Sequence, residues 1–232
     1  MKMNILKSLT LVTLILVGLS GCQKQKNENI ATADVSIKAI KNAQGVTVYT
    51  AVHSVISYNR MASVSVTSPS GGTLQLTNFE NGGISFYNEP AVADYAIAPP
   101  ASGTYTYLVK FNDGEEITYT NSLSAASLQP ANITSLVKTV SGDSLYITWD
   151  AIASTHGYQL KVSKGTTPVY SRPAFVDNSS PLKASLKIGF SLSSLTSGIA
   201  GTYTFELTGL LFESTTYDYL QAISIATKDI AL

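Results

Sequence analysis

From residue 46 onward, apolar side chains recur at every second position. Val46, Val48, Val52 and Ile56 fall on one face of a single extended run; Val64 with Val66, then Leu74 with Leu76, repeat the alternation. A period of two is that of a strand with one face in a core. No segment offers a comparable apolar stripe at 3.6 residues. Turn residues punctuate the runs at Pro69-Ser70-Gly71-Gly72, Asn81-Gly82-Gly83 and Asp113-Gly114. The last of these separates 105–111 from 117–119 and predicts a hairpin. The pattern is that of an all-β chain.

Small and polar residues at 122–130 interrupt the strands before a second set begins, which predicts two halves of about a hundred residues each. An internal echo supports the division. Ser102-Gly103-Thr104-Tyr105-Thr106-Tyr107 matches Ala200-Gly201-Thr202-Tyr203-Thr204-Phe205, and each copy is expected to enter the penultimate strand of a sandwich. A Tyr at that place folds inward and hydrogen-bonds back to the chain as a tyrosine corner.

The second half carries Pro130, Ile133 and Leu136, then Leu145-Tyr146-Ile147-Thr148-Trp149, then Gly157-Tyr158-Gln159-Leu160-Lys161-Val162. In order and spacing these resemble the opening strands of a fibronectin type III domain. The resemblance implies that Leu145, Ile147 and Trp149 point inward, with the Trp ring filling the space between two sheets. It weakens after Val162, where residues 163–183 read as long and irregular. The first half looks like a generic immunoglobulin-like sandwich. The expected fold is therefore two tandem immunoglobulin-like or fibronectin type III-like β-sandwiches, at 34–123 and 130–232.

The N-terminus has a different character. Lys2 and Lys7 precede an apolar stretch at 8–19, the length of a signal-peptide core and too short for a comfortable membrane span. Leu19-Ser20-Gly21-Cys22 follows and resembles a lipobox, the cleavage and lipidation signal of bacterial lipoproteins. The resemblance implies a signal peptide at 1–21 and a diacylglycerol thioether on Cys22, so that lipid is the membrane partner. Gln23 stands where an Asp is associated with inner-membrane retention, which favours the outer membrane, facing the periplasm or the outside. Residues 22–33 then read as the lipidated Cys and a flexible tether, with a reach on the order of 35–40 Å.

Composition narrows the function. Of 232 residues, 44% are hydrophobic and 13% charged, and 15 Lys plus Arg balance 15 Asp plus Glu, so no basic field draws in nucleic acid. Cys22 is the single cysteine, which excludes an internal disulfide. His53 and His156 fall in different halves with no cysteine beside them, so neither a zinc site nor a catalytic pair is expected. His53 is out of phase with the valines and is expected on a solvated face, and His156 in a turn. Asp113, Glu115 and Glu116 sit on the hairpin turn, where acids serve turn geometry. Asn132-Ile133-Thr134 and Asn178-Ser179-Ser180 match a glycosylation pattern by chance.

The thirteen tyrosines leave the best hint of binding, in Phe86-Tyr87-Asn88-Glu89-Pro90, Tyr95 and Tyr170-Ser171-Arg172, all expected near loops. With no catalytic constellation and no cofactor motif, the expectation is a non-enzymatic interaction or structural module for a protein or glycan ligand. An accessory glycan-binding lipoprotein of a nutrient-uptake system is the alternative, marked by aromatic rings on one exposed strip.

Overall fold

A computed structural model describes residues 28–79, 82–138, 144–176, 185–188, 200–214 and 219–232, with the backbone alone for 172–176 and 185–188. Cys22, the signal segment and Asn178 lie outside the described residues.

Fifteen strands are present among the described residues. The first half contributes β1 (Ala31–Lys41), β2 (Thr47–Ser57), β3 (Met61–Thr67), β4 (Thr73–Gln75), β5 (Thr77–Asn78), β6 (Ser85–Asn88), β7 (Gly103–Phe111) and β8 (Glu116–Leu123). The second contributes β9 (Ile133–Lys138), β10 (Leu145–Trp149), β11 (Gly157–Lys164), β12 (Thr167–Val176), β13 (Ser185–Ile188), β14 (Thr202–Phe212) and β15 (Leu220–Ala231). A single 3-10 turn, Val92–Asp94, is the helical element among them. No described helix is long and apolar enough to cross a membrane.

Each half is a sandwich in which the chain passes repeatedly from one sheet to the other. In the first, β1-β2-β6-β5 faces β4-β3-β7-β8; in the second, β9-β10-β13 faces β12-β11-β14-β15. This exchange of strands is that of immunoglobulin-like and fibronectin type III-like sandwiches. Inner faces follow the alternation closely. Leu145, Ile147 and Trp149 are buried on β10, and Tyr158, Leu160 and Val162 on β11. The Trp149 ring meets Tyr158 edge-on at 5.1 Å, and the Tyr158 hydroxyl accepts from the Ile152 amide at 3.0 Å.

The tyrosine corner forms in the first half: the Tyr105 hydroxyl donates to the Ala101 carbonyl at 3.0 Å. Gly103 between them has φ +131°, and a Cβ there would stand 3.1 Å from the Pro69 ring, which is why glycine precedes the tyrosine. Tyr203 is fully buried in the matching place on β14. The Asp113-Gly114 hairpin also forms as expected. Gly114 adopts φ +91°, and Asp113 Oδ1 accepts from the Glu115 amide at 3.1 Å.

Four expectations are corrected. β1 begins at Ala31, inside the segment read as tether, because Ala31 and Ala33 continue the inward phase of Val35, Ile37 and Ala39; alanine carries too little apolar weight to announce it. In β2 the inward set is Tyr49, His53 and Val55; Val48 is also buried but lies in the opposite phase, while Ile56, and Val46 just before the strand, are exposed. The register explains this: Val35, Ile37 and Ala39 lie opposite His53, Ala51 and Tyr49, and directly opposed residues share a face. Leu74, on the short edge strand β4, is exposed, whereas Leu76 is buried. Residues 167–176, expected to be irregular, form β12, a hairpin partner of β11 across Gly165, with register shifts that blur the alternation.

The two halves share one sheet. β15 runs parallel to β1, pairing Ala222, Ile223, Ser224 and Ile225 with Ile37, Lys38, Ala39 and Ile40. The result is an eight-stranded sheet, β12-β11-β14-β15-β1-β2-β6-β5, and Ala31–Leu232 is a single compact unit. Within the second half, Gly209 lets β14 pack closely on its neighbours: a Cβ there would meet Ile152 Cδ1 at 2.8 Å and Ser224 Oγ at 2.9 Å. Side chains add to the ladder. Gln221, buried on β15, holds the connecting segment by donating from Nε2 to the carbonyls of Ser124 and Ala126 at 3.2 and 3.1 Å. Gln129 bridges the Tyr49 hydroxyl and Thr47 Oγ1, and within the second half Lys228 Nζ donates to the Ile133 carbonyl at 3.1 Å.

Candidate functional site

The residues with the most binding chemistry converge on Glu89, immediately after β6. Its Oε1 accepts from Lys38 Nζ and from the Tyr95 hydroxyl, each at 2.6 Å, and its Oε2 accepts from the Tyr87 hydroxyl at 2.6 Å. Lys38 reaches it from the outward-facing phase of β1. Tyr95 is delivered by the chain after the 3-10 turn, where the Tyr49–Ala96 bridge ties that segment to β2. The four groups thus come from three separate stretches of chain, each fixed by a strand or a bridge.

Burial alone would raise the carboxyl pKa of Glu89, but the hydrogen bonds from Lys38, Tyr87 and Tyr95 and the lysine charge outweigh it and hold the group below the usual carboxylate range. The same arrangement pushes both phenols upward, through burial first and then through the anion they serve. At neutral pH the cluster is a carboxylate with three donors, its charge matched by one ammonium.

Beside it lies an open depression of about 330 Å³, lined by Thr77, Asn78, Phe79, Tyr87, Asn88 and Glu89. Thr77 stands opposite Tyr87 across the β5–β6 pair. Phe79 is 64% exposed, and its ring centre is 5.8 Å from that of Tyr87 with the planes tilted by 58°. An aromatic ring open to water therefore adjoins a second ring whose hydroxyl is pinned in place.

Of the residues proposed from sequence, Tyr87, Glu89 and Tyr95 come together here. Phe86 is buried in the core, on the opposite face of β6. Tyr170 lies within β12 rather than a loop and is partly buried against the core, far along the sheet order from β6. Asp113 and Glu115 shape the hairpin, and Glu116 pairs with Lys110 at 3.0 Å. Lys38 and Phe79 escaped the sequence reading. Alternation along β1 does place Lys38 outward; its partner lies 51 residues away, and no local signal joins them.

Both histidines are structural. His53, expected to be solvated, is 5% exposed, and its Nδ1 is 2.9 Å from the Tyr107 hydroxyl. His156 follows its turn, where Nδ1 accepts from the Phe212 amide at 3.1 Å and the ring stacks on Phe212. A glycosidase would place two carboxylates across a cleft. The cleft between the two halves, about 320 Å³, is lined by Lys41 and Lys228 together with neutral residues, and by no carboxylate among the described residues.

No protein-family model matches the sequence, and no curated protein matches it. Among solved structures, the chain is similar to the FN1–FN3 domains of chicken CNTN1, with a TM-score of 0.37 and 15% identity over 85% of this chain and 65% of that one. It is similar to a two-domain fibronectin type III segment of chicken tenascin, with a TM-score of 0.31 and 12% identity over 88% of this chain and 100% of that one. A tetra-tandem repeat from the extending region of a large adhesion protein gives a TM-score of 0.27 and 15% identity over 86% and 50% of the two chains.

Proposed function

We propose that this protein is a lipid-anchored module of the bacterial cell envelope that binds a protein or glycan partner without transforming it. The observation that carries the binding role is the Glu89 cluster. A carboxylate closed by Lys38, Tyr87 and Tyr95 is held ionised and away from proton transfer, while the rings beside it are pre-positioned for contact. Pre-positioning lowers the ordering cost of recognition. The junction serves presentation, because the β1–β15 ladder and the Gln221 clamp fix one sandwich upon the other.

The anchor rests on Lys2, Lys7, the apolar stretch 8–19 and Leu19-Ser20-Gly21-Cys22, with Gln23 favouring the outer membrane. Metabolic labelling with an alkyne fatty acid, on the wild type and on Cys22→Ala, tests it together with protease shaving of intact cells. Label that depends on Cys22, with the sandwiches removed by shaving, supports a surface module. Label that persists without Cys22 rejects the lipid anchor, and a labelled but protected chain moves the partner to the periplasm.

A further inference from the structure

We propose that the depression at the β5–β6 edge is a binding site for a neutral sugar ring, with Phe79 as the stacking platform and Glu89 and Asn78 as hydroxyl partners. This rests on the non-catalytic binding role above and names its ligand class.

The first argument is charge. Among the described residues, Glu89 is the one ionised group lining the depression, and Lys38 already stands 2.6 Å from it. A cationic ligand gains little from a matched anion, and an anionic ligand meets a carboxylate with no free cation among the lining residues. A neutral, hydroxyl-rich ligand has no such conflict.

The second argument is capacity. An ionised carboxylate has about four acceptor positions. Three are filled by Lys38, Tyr95 and Tyr87, which leaves one, on Oε2, for an incoming hydroxyl. Thr77 and Asn78, both exposed on β5, add a hydroxyl and an amide that can donate or accept. A sugar presents alternating donors and acceptors along its rim and an apolar C–H face, and the exposed Phe79 ring offers that face a flat partner.

The third argument is size. About 330 Å³ lies at the small end of the roughly 300–1,000 Å³ range of small-ligand sites, which suits one or two rings. A protein partner needs on the order of 800 Å² and roughly 20–30 residues per side, against the six described residues that line this depression. An added peptide strand would find little ladder, since β5 spans only Thr77–Asn78 and the Phe79 amide is already bonded to the Ser85 carbonyl.

The test uses protein carrying residues 23–232. Immobilised cellohexaose, maltohexaose, laminarihexaose and mannohexaose are compared with oligogalacturonate, heparin and a peptide array, followed by calorimetry on any ligand found. The expected result is binding of at least one neutral oligosaccharide with little dependence on salt. Phe79→Ala should weaken it about tenfold or more, equivalent to roughly 1.4 kcal/mol. Glu89→Gln should weaken the same sugar, while Val137→Ala, an exposed apolar site on β9, should not. Phe79 is exposed, so its variant should fold, and circular dichroism checks that it does. Absence of binding to every neutral sugar, or binding indifferent to Phe79→Ala, overturns the assignment. So does capture of peptides through Phe79 instead. Because labelling at Cys22 and shaving are scored separately, loss of the sugar result leaves the envelope role standing, and loss of the label leaves the sugar result standing.

Discussion

His53 Nδ1 and the Tyr107 hydroxyl face each other at 2.9 Å across the first sandwich, from β2 in one sheet to β7 in the other. The hydroxyl donates its proton to the Asp34 carbonyl at 2.9 Å, so the imidazole must be the donor to the phenol, neutral with its hydrogen on Nδ1. Burial lowers the His53 pKa from 6.5 to about 4. A group whose folded pKa is depressed contributes stability above its unfolded value and loses it as pH falls toward the folded one. Stability should therefore decline between pH 6.5 and about 4, by roughly 3 kcal/mol from this residue. His53→Phe keeps a ring beside Tyr105 and leaves Tyr107 its acceptor. It should cost about 1 kcal/mol at pH 7.5 and flatten that limb. Urea titrations of both proteins across the pH range check it, and parallel curves would refute the neutral buried imidazole.

The Tyr105 corner should be worth more than its hydrogen bond. Tyr105→Phe removes one bond to the Ala101 carbonyl and should cost about 1 kcal/mol. Gly103→Ala strains a φ of +131° and forces a methyl to 3.1 Å from Pro69, and should cost more, about 2 kcal/mol. Denaturant midpoints for the two variants decide the order, and a Gly103→Ala protein as stable as wild type would show that the turn relaxes freely.

What the sequence disclosed, and what it withheld, divides along the reach of each interaction. The inward phase of Leu145, Ile147 and Trp149, the Asp113-Gly114 hairpin and the paired Gly-Thr-Tyr echoes are local, and alternation or turn chemistry reports them directly. Alternation says which residues of a strand face inward, but not which strand lies along its edge. The β1–β15 pairing joins Ile37 to Ala222 and left no trace in either segment. His53 was misplaced for a related reason. Valines at 46, 48 and 52 set a phase that β1 overrides, and a polar side chain at an inward position is intelligible only once Tyr107 is seen opposite it. For the candidate site, Tyr87, Glu89 and Tyr95 were visible as a cluster of residue types; the convergence with Lys38 and the exposure of Phe79 belong to the tertiary structure.

Lys38 is the charge that balances Glu89, and removing it should be read at the carboxylate. In Lys38→Met the two phenols still donate, but the ammonium and its hydrogen bond are gone, so the burial penalty weighs more and the Glu89 pKa should rise. Carbon-13 NMR of the side-chain carboxyl follows that titration directly. An unchanged value would mean that Tyr87 and Tyr95 alone set the ionisation, and the charge argument for a neutral ligand would lose its footing.

The shared sheet makes the two sandwiches one cooperative unit, since neither can unfold without stripping the edge of β1 or β15. Trp149, the single tryptophan, reports on the second half, and the His53 ring resonance on the first. In the wild type their denaturant transitions should coincide. Gln221→Ala deletes the bonds to Ser124 and Ala126 but leaves the ladder intact. It should lower stability by about 1–2 kcal/mol, shifting both midpoints together, and speed hydrogen exchange at the Ser124 amide, which now donates to Gln221 Oε1. Two separated transitions in the wild type would mean that the parallel ladder contributes too little to couple the halves. A Gln221→Ala protein with separated transitions would assign the coupling to the clamp rather than to the strands.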